Sequence, residues 1–271
     1  MSELLEVSDL TVSYRRGFRR APVLANDRVS LSVPRGKTLG IVGESGSGKS
    51  TLGDAILGFA PISSGSIRFN GEELVGVTPS RRRELTKNIQ VIFQNPYGSL
   101  NPAKPIGATL LEPLLAHHIA SGAAALERVV EWLDIVGLPA DAAKRYPRDF
   151  SGGQRQRIAI ARALLVEPDL VVCDEAVSAL DLSIQAQVLN LLLDLQHRLG
   201  VSYLFITHDM AVVEHMADRI AVMHGGVIVE EGPAWDVVHA PAAEYTQALL
   251  GAALSPDPRV QQARRRDRTT P

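Results

Sequence analysis

Gly43-Glu44-Ser45-Gly46-Ser47-Gly48-Lys49-Ser50 fits G-x-x-x-x-G-K-[ST], the pattern of a loop that wraps phosphate groups. The flanking residues supply the context the pattern needs. Thr38-Leu39-Gly40-Ile41-Val42 precedes it and reads as a buried strand, and residues 51–59 follow as a helix that ends before Pro61. Glycines let the backbone curl so that successive N–H groups face one anion. The helix start adds its partial positive charge to the same spot. Lys49 would reach the outer phosphates and the Ser50 hydroxyl would ligate Mg²⁺. The candidate phosphate site is therefore Gly43, Glu44, Ser45, Gly46, Ser47, Gly48, Lys49, Ser50 and Thr51.

Bulk properties narrow the class. At 271 residues and 45% hydrophobic content, the chain holds one large domain or a core with a subdomain. Lys and Arg total 28 against 30 Asp and Glu, a balance unlike the basic excess of a general nucleic-acid binder. The one cysteine, Cys173, excludes an internal disulfide framework and a cysteine-held iron–sulfur cluster, and its apolar neighbours predict a buried, inert thiol. The first residues lack a basic segment followed by a long apolar one. No stretch approaches the roughly 18 apolar residues of a spanning helix. The expectation is a soluble or peripheral protein.

Residues 3–33 alternate as strands, interrupted by a basic loop over 15–22; residues 64–74 predict a hairpin turning at Asn70-Gly71. Ile89 to Phe93 is a short strand ending at Gln94. Residues 106–165 turn helical, with Leu126, Val129, Val130, Leu133 and Val136 at helical spacing and a stop at Gly137-Leu138-Pro139. Leu170 to Cys173 reads as a central strand. Ile184, Val188, Leu192, Leu195 and Leu199 mark a long amphipathic helix. Further strands are expected over 201–206, 219–223 and 227–231. The expected division is an α/β core with an antiparallel β-subdomain over 4–94 and 166–251, a helical subdomain over 95–165, and a basic, solvated tail over 252–271.

Four further motifs follow the glycine loop in order: Ser151-Gly152-Gly153-Gln154 opening a helix, Asp174-Glu175 ending an apolar strand, Ser178-Ala179-Leu180-Asp181, and Thr207-His208-Asp209. Together they resemble the ATP-binding subunit of an ABC transporter from about Leu4 to Gly251. The resemblance implies an α/β P-loop NTPase (RecA-like) core with an N-terminal antiparallel β-subdomain and an inserted helical subdomain. It implies ATP and Mg²⁺ as ligands, with Ser50, Gln94 and Asp174 toward the metal. Glu175 would be the general base on the attacking water, His208 the switch histidine that contacts the γ-phosphate and helps orient Glu175 and the water, Lys49 a further catalytic residue at the phosphates, and Gln94 the glutamine that also reports nucleotide state to membrane subunits. Ser151, Gly152, Gly153, Gln154 and Asp181 would act across a dimer interface on the nucleotide held by the other subunit. Phe150 stands where the family usually has leucine, an apolar exchange. Tyr14 is a candidate for stacking on adenine; the other reading is an ordinary strand tyrosine.

The segment Phe93-Gln94-Asn95-Pro96-Tyr97-Gly98-Ser99-Leu100-Asn101-Pro102 and the ending Glu244-Tyr245-Thr246-Gln247-Ala248-Leu249-Leu250 resemble the oligopeptide/dipeptide importer ATPases, of the type without a C-terminal iron–sulfur cysteine cluster. That resemblance implies a second ATPase subunit, with a heterodimer favoured and a homodimer open, two membrane permeases, and an extracellular solute-binding protein. It places the chain peripherally at the cytoplasmic face of the cell membrane. The alternative is a soluble regulatory or repair ATPase not coupled to transport.

Overall fold

The computed structural model describes residues 3–14, 22–94, 98 and 100–252. Most of the expected basic loop (15–21), Asn95 to Tyr97 and Ser99 of the long segment after Gln94, and the tail from 253 onward lie outside the described residues.

Two sheets organise the chain. The first is antiparallel, in the order β2 (Val23–Pro34), β1 (Glu3–Tyr14), β4 (Ile62–Phe69), β5 (Glu72–Glu73). Its last hairpin turns at Asn70 and Gly71, both with positive φ (50° and 79°), the pair of left-handed residues that a tight two-residue turn requires. The second sheet has six strands, in the order β10 (Val227–Pro233), β9 (Arg219–His224), β3 (Thr38–Val42), β8 (Ser202–Thr207), β7 (Leu170–Asp174), β6 (Ile89–Phe93). All its pairings are parallel except β9 with β10.

Every residue of β3 and β8 is buried, as expected of parallel strands covered on both faces. Alternation sorts them. Leu170, Val172, Leu204 and Ile206 face a core shared with β1, β2 and β4. Val171, Cys173, Tyr203 and Phe205 face a second core shared with the helical segment. A strand's period of two thus glues one layer to each side of the central sheet.

Helix α1 (Lys49–Leu57) packs on β7 and β8. It starts two residues before the predicted helix and ends two residues earlier, because Gly58 takes the left-handed conformation (φ 81°) and closes it. A short α2 (Pro79–Leu85) precedes β6. The helical segment holds α3 (Ile106–Ala116), α4 (Gly122–Ile135), 3-10 turns at Ala140–Lys144 and Pro147–Asp149, and α5 (Gly152–Leu164). Helices α6 (Leu182–Leu199), α7 (Met210–Met216), α8 (Ala234–His239) and α9 (Glu244–Ala252) complete the described chain.

Two expectations need correction. In α4 the buried stripe is Ala125, Val129, Trp132 and Leu133, while Leu126 and Val130 lie at the surface beside Glu127, Glu131 and Asp134. Both residues fit a three-to-four repeat, but they sit on the flank of the stripe that Trp132 anchors. In α6 the core face is Val188, Leu189, Leu192 and Leu195; Leu199, at the end of the helix, is exposed.

Candidate functional site

The glycine loop leaves the carboxyl end of β3, where ligands of open parallel sheets bind. Gly48 caps α1 with φ 104°, and a Cβ there would lie 2.3 Å from the carbonyl oxygen of Ala25. Asn26, fully buried on β2, donates its Nδ2 to the Gly48 carbonyl at 3.1 Å. The loop is thus pinned from the antiparallel sheet as well as from its own strand.

Lys49 is 5% exposed. Its Nζ donates to the carbonyls of Gly43 and Glu44, both at 2.7 Å, and lies 3.3 Å from Ser47 Oγ. Burial lowers the lysine pKa, and the nearby carboxylates of Glu175, Asp174 and Glu44 oppose that shift. The Ser50 hydroxyl donates to Asp174 Oδ1 at 3.1 Å. Burial raises the Asp174 pKa; the Ser50 hydrogen bond works against it, while Glu175 and Asp54 add to it. A half-buried carboxylate held beside a hydroxyl offers oxygen donors of the kind Mg²⁺ takes together with phosphates. On those donors, the residues fit the ion.

Glu175 follows the end of β7 with φ 49°, a left-handed conformation that costs a non-glycine residue about 1–2 kcal/mol. Its N–H is fixed on the Ile206 carbonyl at 2.9 Å, and its Oε1 lies 3.2 Å from His208 Nδ1. His208 leaves β8 one residue beyond its end, and Asp209 caps the following helix by accepting from Ala211 N–H at 2.9 Å. The β6–β7 register sets Phe93 against Asp174, so exposed Gln94 leaves the sheet at the same end as Glu175. Three neighbouring strand ends therefore deliver Gln94, Asp174–Glu175 and His208.

A groove of about 410 Å³ runs along the loop, lined by Tyr14, Val23, Leu24, Ala25, Ser45, Gly46, Gly48, Lys49, Ser50, Thr51 and Glu175. Tyr14 sits at its wall, on β1 opposite Val23. The exposed apolar side chains of Val23 and Leu24 extend that wall.

Ser151, Gly152, Gly153 and Gln154 do not line this groove. They open α5 through a capping box: Ser151 Oγ accepts from Gln154 N–H at 3.3 Å and Gln154 Oε1 accepts from Ser151 N–H at 3.0 Å. Gly153 meets α6 so closely that a Cβ would lie 2.4 Å from Ile184 Cγ2. Exposed Asp181 precedes α6 at its N-cap without a side-chain capping bond, and the preceding Leu180 borders the helix start, its Cδ2 lying 3.9 Å from where a Cβ on Gly152 would be. Phe150 is buried in the core, with the Arg145 guanidinium 4.4 Å over its ring.

Sequence reasoning missed two supports. Asn26 is a polar residue at an inward position of an alternating strand, which was its only signal. Tyr245, in α9, accepts from Glu44 N–H through its hydroxyl at 3.3 Å.

A family model described as "ABC transporter" matches residues 26–178. The chain is 48% identical over 263 residues to "Dipeptide transport ATP-binding protein DppF" of Escherichia coli K12, covering 94% of this chain and 78% of that one. It is 49% identical over 263 residues to "Oligopeptide transport ATP-binding protein OppD" of Mycobacterium tuberculosis, covering 95% of this chain but 43% of the relative. It is 49% identical over 243 residues to "Glutathione import ATP-binding protein GsiA" of Escherichia coli O157:H7, covering 90% and 39%. The chain thus spans less than half the length of the last two relatives. Among solved structures, the dimeric post-hydrolysis ATP-binding cassette MJ0796 bound to ADP and Pi superposes with a TM-score of 0.76 at 27% identity, covering 85% of this chain and 98% of that one. The cbiO1 protein of Clostridium perfringens, part of the ABC transporter complex cbiONQ, superposes with a TM-score of 0.77 at 25% identity over 88% and 91%. A glycine loop, a carboxylate pair and a histidine gathered on adjoining strand ends, together with these likenesses along nearly the whole chain, place it in the ABC transporter family.

Proposed function

We propose that this chain binds ATP at the loop of residues 43–51, hydrolyses it in partnership with a second ATPase subunit, and so powers import of peptides or related small solutes through membrane permeases. The observation that carries the reading is the convergence on one sheet end of Lys49, the Ser50–Asp174 pair and the Glu175–His208 pair. The named relatives support peptide or glutathione import, and the dimeric neighbour supports a paired arrangement.

Lys49 and the loop N–H groups bind and orient the phosphates, and Tyr14 with Val23 and Leu24 forms the wall against which the nucleoside rests. Ser50, Asp174 and Gln94 would hold Mg²⁺, which when bound neutralises developing phosphate charge. Glu175 accepts the proton of the attacking water, and His208 holds the Glu175 carboxylate in position. Ser151 to Gln154 and Asp181 stand apart from this groove, so their role is to close the partner's site; ATP then joins two subunits and hydrolysis releases them. The helical segment from Ile106 to Leu164 and Gln94 form the side toward the permeases. No helix among the described residues is long and apolar enough to cross a membrane, and the chain works peripherally, at the cytoplasmic face, through these partners.

The test is purification of the chain from membranes of its source with ATPase assay of the complex. Co-purifying permeases, a second ATPase and solute-stimulated turnover support the reading. ATPase activity in a permease-free form, with no membrane partner, overturns the transport part of it.

A further inference from the structure

We propose that Tyr245 is a positioning residue for Lys49, acting through the peptide that joins Gly43 to Glu44. This rests on the reading of residues 43–51 as the nucleotide loop. The carbonyl of that peptide accepts from Lys49 Nζ at 2.7 Å, and its N–H donates to the Tyr245 hydroxyl at 3.3 Å. The two bonds belong to one planar unit, so a rotation that breaks one breaks the other. They also run head to tail, from hydroxyl oxygen to N–H, from carbonyl to ammonium, an order in which each bond polarises the next. The ammonium that meets the phosphates is therefore oriented, through one peptide, by a side chain 201 residues beyond Glu44.

Tyr245 is itself held from three sides. Glu230 on β10 accepts from the N–H groups of Ala242 (2.7 Å) and Ala243 (3.1 Å), tying down the chain as it enters α9. Leu249 and Leu250 pack on the small core of Val42, Ile220 and Val222. The Tyr245 ring lies on the His224 ring with centroids 4.1 Å apart. Two residues past His224, Gly226 N–H donates to the Ser47 carbonyl at 3.0 Å. The β9–β10 turn and α9 thus grip the loop at Ser47 and at Glu44, and the second grip acts on the peptide whose Gly43 carbonyl is one of the two that hold Lys49.

Tyr245→Phe in the full chain removes the hydroxyl and keeps the ring. A fluorescent ATP analogue titrated into the variant, with kcat and KM for ATP and a thermal melt, reads the effect. The Kd and KM rise about 3- to 10-fold, the scale of one backbone hydrogen bond, while kcat and Tm stay near wild type. Wild-type Kd and KM overturn the proposal, as does a rise accompanied by a fall in Tm that His224→Ala reproduces, since that marks packing alone. Lys49→Ala is measured in parallel. If it leaves ATP binding and hydrolysis intact, the nucleotide-loop reading itself fails; if it abolishes them while Tyr245→Phe is silent, only the role of Tyr245 fails.

Discussion

Glu175 Oε1 and His208 Nδ1 stand 3.2 Å apart across the ends of two adjacent parallel strands. The contact exists because Glu175 adopts a left-handed backbone (φ 49°) just past β7 while its N–H is anchored on Ile206 of β8. Local strain of this kind persists where the surroundings fix it. Glu175→Gln retains the shape and a hydrogen bond to His208 but removes the proton acceptor. The variant binds ATP with wild-type affinity and loses about 10²- to 10⁴-fold in kcat, the range for a general base. Steady-state ATPase with nucleotide titration checks this, and gel filtration with ATP shows an accumulated closed dimer. Turnover near wild type removes Glu175 from the role of base.

Lys49 combines deep burial with bonds to two loop carbonyls. Lys49→Ala deletes the charge and leaves those carbonyls without their donor, so ATP binding or hydrolysis falls at least about 10-fold. Lys49→Arg does not restore it, because a planar five-donor fork does not fit a site shaped around a point charge. Equilibrium nucleotide binding on both variants is the check.

Gly153 and Ile184 are in direct contact between α5 and α6. Gly153→Ala forces a methyl against Ile184 and destabilises the chain by about 1–3 kcal/mol. Adding Ile184→Ala returns part of the loss, so the two changes are non-additive in a double-mutant cycle. Denaturant melts of the four proteins measure it. Simple additivity contradicts the contact.

Cys173 has no exposed surface in the core beneath the Asp174–Glu175 pair, and burial raises its thiol pKa far above the ordinary value, with the Asp174 charge adding to the shift. A thiolate reagent leaves the native protein unlabelled and titrates one thiol per chain after unfolding. Rapid native labelling contradicts the buried assignment of β7.

Much of this architecture was readable from the residues, for identifiable reasons. The strands at 38–42 and 170–173 are short apolar runs bounded by glycine or polar residues, and burial on both faces produces that pattern; the edge strand at 89–93 was legible from its apolar residues although Gln90 and Val91 are half-buried and Phe93 is exposed. The Asn70-Gly71 turn was legible because its backbone admits few residue types. Lys49, Ser50, Asp174, Glu175 and His208 follow from local motifs at strand ends. Asn26 and Tyr245 did not, because each serves the loop from a distant element; Asn26 carries no local pattern, and Tyr245 stood out only as part of the importer-like ending, which says nothing of its bond to Glu44. Leu126 and Val130 misled because apolar spacing alone does not fix a helix's rotation; Trp132 does, through its bulk. The serine–glycine–glycine start of α5 was legible as a helix cap, but one chain gives it only capping and packing contacts.

That last element carries the central claim, that each subunit completes its partner's site. The direct measurement is ATP turnover by the assembled complex bearing Ser151→Arg in this chain and the matching change in its partner ATPase. The account predicts that each subunit still binds ATP while turnover falls to about a hundredth or less, the scale of losing anion-stabilising donors. Full-rate hydrolysis by that doubly altered complex contradicts it.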